Sequence, residues 1–147
     1  MITYTKMTQS HVGQIALLEK HCFSDPWSEK SVSGELHNPL SLWLVAMDAE
    51  RVVGYIGSQT VMDCADIMNL AVDPEYRRMG IAATLLNSLC DMLREKGVLS
   101  VALEVRVSNA PAIALYEKFG FEPVGRRPNY YLNPKEDAWI LRKELSV

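Results

Sequence analysis

The stretch VDPEYRRMGIAATLL, Val72 to Leu86, decides how the rest of the chain is read. Asp73 and Pro74 close an apolar run, DIMNLAV, that reads as a strand. Ile81, Leu85, Leu89, Met92 and Leu93 then mark one apolar face of a helix that ends at Lys96 and Gly97. A strand therefore passes into a helix near Gly80, with Arg77 and Arg78 just ahead of it. The first turn of a helix has unpaired N–H groups and the positive end of the helix dipole, and glycine keeps the approach open. Such a junction suits a phosphate or pyrophosphate held mainly by main-chain donors. Taken alone, RRMG also reads as a solvated turn whose arginines serve solubility. Neither GxxxxGK followed by Ser or Thr nor GxGxxG is present, so a different phosphate-bearing cofactor is required.

Outward from this junction the elements alternate, without internal repeat, low-complexity tract or linker, and predict one continuous domain over residues 1–147. ITYTK suits a short strand, and Val12, Ile15, Ala16, Leu17 and Leu18 carry a helix to about Cys22. Ser28 precedes a short helical stretch that stops near Asn38 and Pro39. SLWLVAM and VVGYIGSQTV read as a hairpin turned at DAER. Downstream, Leu99, Val101, Leu103, Val105 and Val107 alternate with Ser100, Ala102, Glu104, Arg106 and Ser108 along a strand. Asn109 caps a further helix, with Pro111 in its first turn and Gly120 at its end. FEPVGRR and AWILRKEL read as two closing strands, giving an α/β chain on a mixed sheet.

Composition excludes several classes. The 147 residues are 48% hydrophobic, enough for one ordinary core. A formal charge of -3 argues against a general nucleic-acid binder. No apolar stretch approaches the roughly 18 residues of a membrane span. Cys22, Cys64 and Cys90 lack metal-type spacing, and no signal peptide precedes MITYTKMTQSH, which predicts a reducing cytoplasmic setting. His11, His21 and His37 share no metal spacing and read as surface or structural, so no metal is expected. Met62, Met68 and Met92 read as core filling.

NLAVDPEYRRMGIAATLL resembles the acetyl-coenzyme A signature of the GCN5-related N-acetyltransferases (GNAT). Their pyrophosphate loop is written as Gln or Arg, two residues, Gly, one residue, then Gly or Ala. Arg77 to Ala82 fits this pattern, with alanine at the last small position. The resemblance implies the GNAT fold: a mixed, mostly antiparallel central sheet flanked by helices and splayed between its two central strands. It implies main-chain bonds from Leu70, Ala71 and Val72 to the pantetheine arm of acetyl-CoA. It places Arg77, Arg78, Met79, Gly80, Ile81, Ala82 and Ala83 around the pyrophosphate. LEVRVSNAPAIALYEKFGF, PWS and RRPNYYLNPKEDA are similar to the RimI group of ribosomal-protein alanine N-acetyltransferases. By that resemblance Glu104 is the general base, Tyr116 the general acid, and Asn109 a cofactor contact. The implied partner is the N-terminus of a small-subunit ribosomal protein.

Geometry supports pairing Glu104 with Tyr116 independently. Alone, Glu104 also reads as a solvated residue of a polar strand face and Tyr116 as core packing, and it is the cofactor loop that favours the pair. With a turn near Ser108 and Asn109, Glu104 lies roughly 13 Å back along the strand and Tyr116 roughly 10 Å forward along the helix. An ammonium cannot attack a thioester, so a carboxylate must take its proton, and the departing thiolate needs one from a phenol. An α-amine with pKa near 8 is roughly one-tenth neutral at pH 7, against about one lysine in a few thousand, which favours an α-amine acceptor. Trp27, Tyr130 and Tyr131 are expected to line a groove for a peptide N-terminus, with Glu136 or Asp137 attracting its ammonium. Acetylation of small amines or lysine side chains, and a non-catalytic acyl-CoA-binding module, stay open as alternatives, as does monomer against dimer.

Overall fold

The computed structural model describes residues 1–145. Its elements run β1 (Ile2–Lys6), α1 (Gln9–Cys22), α2 (Glu29–Glu35), β2 (Ser41–Asp48), β3 (Arg51–Val61) and β4 (Cys64–Val72). A short 3-10 turn (Pro74–Tyr76) leads to α3 (Ile81–Glu95), β5 (Ser100–Arg106), α4 (Ala110–Lys118), β6 (Glu122–Leu132) and β7 (Lys135–Glu144). All seven strands join one sheet in the order β1-β2-β3-β4-β5-β7-β6. Every neighbouring pair is antiparallel except β4 with β5. The expected mixed, mostly antiparallel sheet is thus present.

Helix starts follow local chemistry. Ser28 Oγ accepts from the Ser31 N–H at 3.1 Å and caps α2, and Asn109 Oδ1 accepts from the Ala112 N–H at 3.3 Å and caps α4. His11 serves structure, as expected, because its Nδ1 accepts from the Thr8 N–H at 3.0 Å at the start of α1. The closing strands are longer than FEPVGRR and AWILRKEL suggest, because β6 runs on through an irregularity between Arg127 and Tyr131.

Both faces of the sheet are covered, which explains why SLWLVAM reads as a continuous apolar run. Leu42, Leu44 and Ala46 of β2 pack with Ile81, Leu85, Leu89 and Leu93 of α3. The alternate residues Trp43, Val45 and Met47 pack with Val12, Ile15 and Leu18 of α1 and Val32 of α2. Each fully buried aliphatic side chain of α3 contributes roughly 1.5–3 kcal/mol. Gly54 lets α3 approach closely, since a Cβ there would lie 3.1 Å from Ile81 Cγ2 and 3.2 Å from the Ala71 carbonyl oxygen.

Several side chains expected inside lie outside. Met62 is 94% exposed, because it takes the left-handed turn position between β3 and β4 with φ 59°. Leu99 is 48% exposed because it precedes β5, and Leu17 stands on the outer side of α1. Met68 is also exposed. It is the extra residue of a bulge in β4, since Ile67 pairs with Ser58 and Asn69 with Gly57 while Met68 has no partner.

That bulge lies where the sheet divides. β4 and β5 share three pairs, Cys64 with Ser100, Ala65 with Val101 and Asp66 with Ala102. Beyond them β4 continues only with β3 and β5 only with β7. The two central strands are splayed, and the unpaired lengths face a fork.

Candidate active site

Two cavities that share a wall fill the fork. One, of about 550 Å³, is lined by Leu70, Ala71, Val72, Arg77, Arg78, Gly80, Ile81, Ala82, Ala83 and Asn109. These are the residues expected around a diphosphate-bearing cofactor, except Met79, whose side chain is exposed and outside the lining. Asp73 N–H donates to the Val53 carbonyl at 2.8 Å, and antiparallel strands alternate the direction of their polar groups. Ala71 therefore turns its main chain toward β3, while Leu70 and Val72 turn theirs toward the fork.

The turn into α3 is shaped for an anion. Arg78 and Gly80 both have left-handed backbone, φ 66° and 75°, and a Cβ on Gly80 would meet nothing within 4 Å. Gly80 offers no side-chain cap, and the Ile81, Ala82 and Ala83 amides have no carbonyl partner among the described residues. Those donors sit at the positive end of the helix dipole, and a ligand with phosphate oxygens matches them in charge and in hydrogen-bonding type. The lead-in is braced by residues the sequence reading passed over. Arg51 bonds Asp73 at 2.7 Å and Glu75 at 2.8 Å, while the Tyr76 hydroxyl donates to Asp48 at 2.6 Å.

The second cavity, of about 800 Å³, is lined by Trp27, Asp66, Asn69, Glu104, Arg106, Tyr116, Arg127, Tyr130 and Tyr131, among others. Glu104 from β5 and Tyr116 from α4 thus reach one space. Leu70, Asn109, Ala112 and Tyr116 belong to both cavities and form the passage between them. Alternation along β5 explains Glu104: Leu103 and Val105 enter the core, so Glu104 stands on the other face with Arg106. Tyr116 is only 7% exposed, its ring edge-on to Phe121 at 5.6 Å. No described side chain bonds its hydroxyl, which is nonetheless not sealed away, so it opens on the cavity.

The electrostatics keep the phenols protonated. Burial, then the neighbouring Tyr131, raises Tyr116 well above the usual tyrosine range. Tyr131 itself is pushed up to about 12 by burial and then by Tyr130. Burial and then the facing Glu104 carboxylate raise Tyr130. Arg127 Nε stands 3.9 Å from Glu104 Oε1, and Arg106 lies over the Tyr131 ring at 4.3 Å.

Glu136 and Asp137 do not face the groove, which corrects their expected role as ammonium attractors. Glu136 accepts from the Ser108 N–H at 2.7 Å and from Arg106 at 3.2 Å. Asp137 accepts from the Asn129 N–H and from Arg126, each at 2.8 Å. Both are held below the ordinary carboxylate range, Glu136 chiefly by Ser108 and Asp137 chiefly by Asn129. The carboxylates that do line the cavity are Asp25, Asp66 and Glu104. Cys22, given no role from spacing, lines both cavities, and burial raises its thiol.

Comparison with known proteins agrees with this geometry. Residues 12–121 match the acetyltransferase (GNAT) family. The ribosomal protein bS18-alanine N-acetyltransferase of Salmonella typhimurium is 41% identical over 133 residues, spanning 88% of this chain and 88% of the relative. The crystal structure of the ribosomal-protein-S18-alanine N-acetyltransferase from Escherichia coli superposes with a TM-score of 0.92 at 35% identity, covering 100% of this chain and 96% of that one. The NatC complex bound to Gag peptide and CoA matches with a TM-score of 0.86 at 27% identity, covering 99% of each chain. With its splayed sheet and its Gly80 turn, the chain belongs to the GNAT family and is an acetyl-CoA-dependent N-acetyltransferase.

Proposed function

We propose that this chain, one domain over residues 1–147, acetylates the N-terminal alanine amine of a small-subunit ribosomal protein by direct transfer. The observation that carries the reading is the shared space of Glu104 and Tyr116, continuous at Tyr116 with the Gly80 cavity. The names of the bS18-alanine relatives support the acceptor, and such an acceptor would place the protein in the cytoplasm.

The Gly80 to Ala83 amides, with Arg77 and Arg78, would hold the diphosphate of acetyl-CoA, and the main chain of Leu70 and Val72 its pantetheine arm. Asn109 would border the same ligand. When bound, acetyl-CoA supplies an acyl group activated as a thioester. Glu104 takes a proton from the acceptor ammonium, directly or through a water, leaving a nucleophilic amine. Tyr116, kept protonated by burial, returns a proton to the departing sulfur. Trp27, Tyr130 and Tyr131 would line the path of an extended peptide end.

Steady-state assays with a peptide beginning in Ala, the same peptide N-terminally blocked but carrying a lysine, and a polyamine test this reading. The free Ala peptide is expected to give the largest kcat/KM, by about two orders of magnitude. Preference for the blocked peptide or the polyamine would overturn it.

A further inference from the structure

One fully buried carboxyl group has no part in the proposed mechanism: Glu19 of α1 is 0% exposed, and burial raises its pKa against the opposing pull of its Trp27 and Tyr55 hydrogen bonds. An ionised carboxylate inside a protein is costly unless its lone pairs are satisfied. Glu19 is satisfied by three donors from three separate places. Its Oε1 accepts from the Trp27 main-chain N–H at 2.9 Å. Its Oε2 accepts from the Asn69 side-chain amide at 2.7 Å and from the Tyr55 hydroxyl.

These partners are not scattered. Asn69 adjoins the bulge residue Met68, at the point where β4 leaves β5. Tyr55 stacks on Trp43 at 6.0 Å, and Trp43 meets Trp27 edge-on at 5.5 Å. Glu19 therefore bonds both ends of this aromatic stack and the strand beside the bulge. Gly57, opposite Asn69, leaves the space for the Trp43 ring, since a Cβ there would come within 2.3 Å of it. Trp27 and Asn69 line the larger cavity and not the Gly80 cavity.

We infer that Glu19 is a positioning residue for the acceptor groove: it fixes the Trp27 loop and the Asn69 wall for a peptide end without bearing on cofactor binding. The inference rests on the larger cavity being the acceptor side. Glutamine at position 19 keeps the shape but has one acceptor oxygen in place of two, and its neutral carbonyl accepts more weakly than a carboxylate. Its NH₂ faces either the Trp27 N–H, which cannot reverse and loses its tether, or Asn69 and Tyr55, which must turn to accept and so change the Asn69 wall.

The test compares Glu19→Gln with Leu89→Ala. Leu89 of α3 is fully buried in the core on the other face of the sheet from the aromatic stack, and it lines neither cavity. For Glu19→Gln, KM for an Ala-initiated peptide is expected to rise about tenfold. The Kd for CoA should stay within about twofold of wild type, and Leu89→Ala should leave peptide KM nearly unchanged while lowering Tm at least as much. An unchanged peptide KM in Glu19→Gln would overturn the inference. A parallel rise in CoA Kd, or an equal KM rise in Leu89→Ala, would do the same by making the effect a general loosening. If Glu19→Gln does not fold, Asn69→Ala takes its place, with the same split expected at about threefold and no split overturning the proposal. A wild-type protein inactive on the peptide would instead count against the acceptor reading itself.

Discussion

The two sides of the fork are built differently. The Gly80 side draws most of its polar groups from one run, Leu70 to Ala83, and these are chiefly backbone groups, while the end of α1 and α4 close the rest of its wall. The larger cavity, the proposed acceptor side, gathers Trp27, Asn69, Glu104, Arg106, Tyr116, Arg127, Tyr130 and Tyr131 from separate elements, and offers side chains. A main-chain site is damaged only by changes that alter the backbone or crowd it. A side-chain site loses function one residue at a time, so the two halves should fail in different measurements.

The largest expected effect is at Glu104. Glu104→Gln should lower kcat by about a thousandfold with CoA affinity unchanged, read by turnover and by calorimetric titration of CoA. Tyr116→Phe should cost about a hundredfold in kcat. Burial favours the neutral phenol, so its proton is retained to higher pH than in free tyrosine. The wild-type kcat profile should accordingly show no loss from this group below about pH 10. A loss there that disappears in Tyr116→Phe would contradict the assigned environment.

Gly80→Ala sharpens the contrast from the other side. Alanine fits the space but resists φ 75°, and its methyl would stand where the ligand approaches. CoA Kd should rise about tenfold and stability fall by about 1 kcal/mol, with kcat at saturation nearly kept. Tyr131→Ala should do the reverse, raising peptide KM about fivefold and leaving CoA Kd alone.

The smallest effect concerns the β6–β7 hairpin. Glu136 and Asp137 have lowered folded-state pKa values, so their stabilisation is present above the unfolded carboxylate value and is lost as pH falls through the folded one. Thermal melts from pH 6 to pH 3 should show a smaller acid loss in Asp137→Asn than in wild type.

Legibility followed the same division. Gly80, Arg77 and Arg78 were readable because a strand-to-helix turn is a local event with local signals. Glu104 and Tyr116 were readable because strand and helix rise fix their depth on either side of one turn. Glu136 and Asp137 were misassigned because charge in sequence does not tell which donor a carboxylate meets. Ser108 and Arg106 reach Glu136 from the β5 side of β7, and Asn129 and Arg126 reach Asp137 from the β6 side. Met68 was placed in the core because a bulge breaks the alternation that would have buried it. Glu19 gave no signal, since a glutamate in an amphipathic helix ordinarily faces water.

By itself the sequence determined the order of elements, the helix starts at Ser28, Gly80 and Asn109, and the open turn before α3 on which the proposed anion site rests. Each of these rests on neighbours within a few residues. The tertiary structure decided where β4 and β5 part, which carboxylates face the groove, and that Glu19 holds Trp27, Tyr55 and Asn69 together. Those outcomes depend on packing between segments distant in the chain, where burial and the available hydrogen-bond partners, not local propensity, set the state of each group.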